Sequence, residues 1–66
     1  MLLQINGETE TFSDGSTVAA LVDRLGLNTR KVAVEVNLAI VPRSLSEATY
    51  LHEGDLVEIV QFIGGG

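Results

Sequence analysis

Cysteine is absent from this 66-residue chain, which removes disulfides and thiolate metal centres from consideration and fits a reducing cytoplasm. Basic side chains are scarce: four Lys and Arg stand against nine Asp and Glu, for a net charge of −5. The three aromatics are scattered as Phe12, Tyr50 and Phe62. Nucleic-acid binding needs a basic stripe and stacking platforms, so both shortages argue against it. An acidic surface serves solubility and would also suit a partner with a basic docking face. No apolar run approaches the length of a membrane span, and Met1-Leu2-Leu3 breaks at Gln4 with no basic region before it. Neither a membrane segment nor a signal peptide is therefore expected.

The chain is rich in aliphatic residues instead. Sixty-six residues make one domain, which buries only about 60% of its unfolded surface and is marginal unless its core is efficient. With 45% hydrophobic residues and no crosslinks, that core must come from aliphatic packing. The single histidine, His52, has no cysteine or second histidine to share a metal, so neither a metal site nor a catalytic base is expected of it. Asp14-Gly15 and Glu53-Gly54-Asp55 read as turn chemistry, since no oxygen-rich twelve-residue calcium loop is present.

"MLLQINGETETF" holds two strand-like runs around Asn6-Gly7, the strongest short hairpin signal because both residues tolerate positive φ. A two-residue loop would pair Ile5 with Glu8 and Leu3 with Glu10. One extra loop residue would bring Thr9 and Thr11 onto that face, and the sequence leaves the register open. In "SDGSTVAALVDRLGL", Ser16 or Thr17 can cap a helix of about ten residues. Its apolar positions Val18, Leu21, Val22 and Leu25 fall at i, i+3, i+4, i+7. Gly26 ends it as a left-handed cap with Leu27 folding back. So short a helix cannot stand alone in water, and its stripe must lie on a sheet.

"KVAVEVNLAIVPR" alternates Val32, Val34 and Val36 against Ala33 and Glu35, a strand pattern. Asn37 turns the chain, Ile40-Val41 resumes it, and Pro42 confines the residues after it to an edge or a loop. "HEGD" gives a turn at Gly54, and "LVEIVQFI" forms the last strand. Hairpin, helix, strand, short edge piece and final strand is the order of an α+β β-grasp, a mixed sheet with one main helix across one face and the last strand central, although order alone also allows other α+β rolls. The expected division is a domain over residues 1–63 and a flexible glycine tail over 64–66, since three glycines add almost nothing to packing.

"AVEVNLAIVPRS" followed by "HEGDLVEIVQFIGGG" resembles the sulfur carrier proteins of thiamine biosynthesis, the ThiS family, over the whole chain. The resemblance rests on Glu35, Asn37, Ile40, Val41, Pro42 and Arg43, on Gly54-Asp55, and on the terminal Gly65-Gly66. It implies the ubiquitin-like form of the β-grasp fold, and a carried substrate and not an enzyme. By the resemblance, the C-terminal Gly66 would be adenylated by an E1-like activating enzyme and converted to a thiocarboxylate. Thiazole synthase would then receive the sulfur, whose donor in such pathways is commonly a cysteine desulfurase persulfide.

The tail suits that chemistry. A C-terminal carboxylate with a reference pKa of about 3.5 is ionised at neutral pH and can attack the α-phosphorus of ATP. Adenylation makes one oxygen a leaving group, so that sulfur can attack the carbonyl. ATP chemistry needs magnesium and positioned cations, and no stretch here supplies a phosphate cradle, so no cofactor is expected on the chain itself. Gly64 and Gly65 can thread a narrow channel, and three extended residues reach about 10 Å beyond the globule.

Alternation in the last strand places Val57 and Ile59 in the core and Glu58, Val60 and Phe62 on the outer face. Val60, Phe62 and Ile63 are accordingly the candidate docking residues, with Ile63 readable either as a last core plug or as the first tail contact. Arg43 can pair with a local carboxylate or meet a partner. Rival readings share the fold: a carrier for molybdopterin or cysteine synthesis, a ubiquitin-like protein modifier, or a non-catalytic β-grasp interaction module whose glycines are a frayed end.

Overall fold

Asn6 and Gly7 take φ values of 50° and 84°, the pair of left-handed residues that a two-residue type I′ hairpin requires. That turn joins β1 (Leu2–Ile5) to β2 (Glu8–Thr11). The observed partners are Ile5 with Glu8 and Leu3 with Glu10, so the two-residue loop is the register adopted. Leu3 and Ile5 enter the core. Glu8 and Glu10 share their face, but β2 is the sheet's outer strand, and a charged edge discourages pairing with other chains. The structure, a computed structural model, describes residues 1–62.

Thr17 is the helix cap: its hydroxyl oxygen accepts from the Ala20 amide at 3.1 Å. The Ser16 hydroxyl instead donates to the Ser13 carbonyl at 2.7 Å, tightening the turn before the helix. Helix α1 (Val18–Arg24) has seven residues, shorter than the ten expected, because a Schellman closure takes over its last turn. The Leu27 amide donates to Val22 O at 3.0 Å and the Gly26 amide to Asp23 O at 2.9 Å, with Gly26 at φ 75°. Val18, Leu21 and Val22 are buried, and Leu25 and Leu27 pack at the core's margin. Arg24 lays its guanidinium 4.2 Å from the centre of the Phe12 ring and donates to Thr11 O at 2.8 Å, tying the helix to the end of β2.

Strands β3 (Val32–Val36), β4 (Ala39–Val41) and β5 (Leu56–Gln61) complete a five-stranded sheet in the order β2-β1-β5-β3-β4. Only β1 and β5 run parallel; the other neighbours are antiparallel. The last strand is central and the sheet is mixed, as the order of elements implied, and Pro42 follows the edge strand β4. Between β4 and β5 the chain makes a 3₁₀ turn at Arg43–Leu45, a single bridge from Thr17 to Tyr50, and a core contact through buried Leu51. The core lies between α1 and one sheet face, where Leu3, Ile5, Val32, Val34, Val57 and Ile59 meet Val18, Leu21 and Val22. Val36 packs against its margin.

Candidate functional site

Strand β5 positions the site, and two asparagines fix β5. Asn37 begins a second two-residue turn, with φ 50° and Leu38 at 71°. Its side chain accepts from the Leu56 amide at 3.0 Å and donates to the Asp55 carboxylate at 3.0 Å. Its own amide donates to Leu56 O at 2.7 Å. Asp55 also accepts from the His52 amide at 2.8 Å, and Glu53 accepts from the Leu2 amide at 3.0 Å. These carboxylates organise a turn, as their sequence context suggested. The "EVN" and "HEGD" stretches, far apart in the chain, therefore form one hydrogen-bonded unit at the start of β5. Farther along, the Asn6 side chain pairs with Ile59 both ways, accepting from its amide at 2.7 Å and donating to its carbonyl at 3.2 Å. It stands in for one more residue of β1.

Held on both sides, β5 alternates cleanly. Val57 and Ile59 are buried; Leu56, Glu58 and Val60 face away from the helix. Val60 lies beside Ala33, and Glu58 lies directly opposite Glu35 on β3. Beyond Gln61, the Phe62 amide donates to Lys31 O at 2.9 Å, which keeps the chain against β3 at its last described residue. Val60 is 62% exposed and Phe62 60%. Ile63, Gly64, Gly65 and Gly66 lie outside the described residues.

Phe62 borders a shallow groove of 520 Å³ whose other walls include Arg30, Ala33, Ile40, Pro42 and Arg43. Sequence reasoning left Arg43 undecided and did not single out Arg30 or Ala33. The signal available for Ala33 was its place opposite Val32 and Val34 in the alternation, but the groove itself depends on β4 lying beside β3. His52 is exposed, with Nδ1 3.9 Å from Asp55 Oδ2. Among the described residues no group of three or more His, Cys, Asp and Glu is arranged to hold a metal, and no helix is long and apolar enough to cross a membrane.

The family model described as "ThiS family" matches residues 3–66. The chain belongs to the ThiS family. Its sequence is 33% identical to the sulfur carrier protein ThiS of Bacillus subtilis, over 98% of this chain and all of that one. It is 54% identical over its whole length to a thiazole synthase of Paramagnetospirillum magneticum, of which it spans 20%. Among solved structures, it is similar to the thiamine biosynthesis protein ThiS of Geobacter metallireducens, with a TM-score of 0.85, 33% identity and full coverage of both chains. The five-stranded mixed sheet with one helix is thus the ubiquitin-like β-grasp of the ThiS family. The Asn37–Asp55–Leu56 unit thus ties together the two stretches that carry the ThiS resemblance.

Proposed function

We infer that this chain is a sulfur carrier of thiamine biosynthesis, with Gly66 as the residue that carries the sulfur. The observation that supports it most directly is the family match, which runs through the glycine tail. In this reading the chain is not an enzyme. Its terminal carboxylate attacks the α-phosphorus of ATP in the active site of an adenylating partner, pyrophosphate leaves, and a mixed anhydride with AMP remains. The terminal sulfur of a persulfide then attacks the activated carbonyl and AMP departs, giving an acyl disulfide; a partner thiol cleaves its S–S bond, leaving a thiocarboxylate on Gly66 and a disulfide on the partner. ATP and magnesium belong to the partner, which supplies the positioned cations such chemistry needs. A cysteine desulfurase is the proposed sulfur source.

The receiving enzyme is thiazole synthase, supported by relatives of that name that contain a segment like this chain. Gly64 and Gly65 thread the partners' channels. Val60, Phe62 and Ile63 form the apolar contact at the channel mouth. Two exposed apolar side chains beside the exit of a tail are the arrangement that docking calls for.

The test is the intact mass of the chain after incubation with ATP, magnesium, the activating enzyme of the same organism and a sulfur source, followed by fragmentation. A gain equal to exchange of one oxygen for one sulfur, confined to Gly66, is expected. No gain from an activating enzyme that loads a control carrier would overturn the reading.

A further inference from the structure

The chain carries nine acidic and four basic side chains, and their placement is uneven. Arg24 is occupied by Phe12 and Thr11 O. The charged side chains of the other three, Arg30, Lys31 and Arg43, make no hydrogen bond or ion pair among the described residues; only the Arg30 amide and the Arg43 carbonyl meet side chains, those of Asn28 and Ser46. All three surround Phe62. Arg30 and Arg43 stand on the groove that Phe62 closes, Lys31 lines a smaller groove of 310 Å³ on its other flank, and the Lys31 carbonyl holds the Phe62 amide. No Asp or Glu lines either groove. By contrast, the groove beside α1 carries Asp23 and Glu47. A predominantly acidic molecule thus has a basic collar, unpaired among the described residues, around an exposed aromatic ring four residues from the C-terminal Gly66.

Reach decides what such a collar can touch. Four extended residues after Phe62 span about 13 Å, so a tail inserted in a channel holds its reacting carbonyl well away from guanidiniums at its base. The collar therefore meets the mouth of the channel and not the phosphates inside it. Building on the carrier reading, we propose that the tail channel of the activating enzyme is rimmed by carboxylates that pair with Arg30, Lys31 and Arg43 around an apolar socket for Phe62. The acidic remainder of the carrier is repelled by the same rim, so the charge pattern orients the molecule tail-first as it approaches.

The experiment measures ATP–pyrophosphate exchange by the activating enzyme as a function of carrier concentration. The Arg30→Gln, Arg43→Gln double variant is compared with an Ala20→Glu, Ala48→Glu control, which adds the same charge at exposed positions on neither groove. Rim charges act on encounter and salt dependence, so the double variant is expected to raise KM about fivefold or more. Its kcat stays within about twofold, and its KM responds less steeply to salt than the wild type. The control shifts KM by less than about twofold. An equal rise in the control, or an unchanged KM, overturns the proposal. So does a loss of kcat at constant KM, which would put the cations at the reacting phosphates. Absence of exchange with the unaltered chain and a competent enzyme would instead refute the carrier reading beneath it.

Discussion

Leu38 is the least expected residue in the molecule. It sits at φ 71°, where a side chain with a Cβ costs about 1–2 kcal/mol, and it is 85% exposed, so packing offsets none of that cost. Its left-handed backbone is imposed by the turn between Val36 and Ala39, which pair across it. Leu38→Gly removes the strain and loses about 0.5–1 kcal/mol to the freer unfolded chain. A net stabilisation of up to about 1 kcal/mol is expected, read as a melting temperature higher by a few degrees. A lower melting temperature would show that the leucine makes a compensating contact. Nothing in the letters of "VNLAI" announces this conformation, because leucine is not a turn former. Asn37 carries the visible signal.

At the scale of elements, α1 is defined by its two ends. Removing the cap hydroxyl with Thr17→Ala is expected to cost about 1 kcal/mol. Gly26→Ala should cost about 1–2 kcal/mol from φ alone, since a Cβ there would meet nothing within 4 Å. Urea titrations of both variants, with an unchanged slope, would check the two values together. A neutral Gly26→Ala would mean that the Schellman closure is dispensable. The helix, the first hairpin and the last strand were legible because each rests on local signals: a 3.6 period, an Asn-Gly pair, an alternation; the central place of that strand came from the order of the elements. The β4–β5 connection was not, since Leu51 is buried and Tyr50 bridged by partners early in the chain, and no local period records that. The site divides in the same way. Alternation alone puts Val60 on the open face, whereas the Arg30–Arg43 groove exists only because the strand order sets β4 next to β3.

For the whole molecule, the division of labour between globule and tail has a direct test. A terminal glycine contributes almost nothing to packing, so on deleting Gly66 the melting temperature should stay within about a degree of the unaltered chain while the oxygen-for-sulfur mass gain disappears. Retained loading would move the reacting carboxyl elsewhere and refute the assignment of Gly66. A variant that melts much lower would show that the tail contributes to the fold.

The parallel pairing of β1 with β5, extended by the Asn6 clasp on Ile59, also gives the fold a mechanical character. The amide of Gln4 donates to Asp55 O at 3.0 Å and that of Asn6 to Val57 O at 2.9 Å, evenly spaced, slanted rungs that bridge the two parallel strands. Tension applied between the start of β1 and the end of β5 loads these rungs in shear, together, instead of unzipping them one by one. In the proposed carrier role, a partner drawing the chain by its C-terminus would therefore pull along the strongest direction of the sheet, and the globule would act as a stopper that is drawn tight without being unravelled.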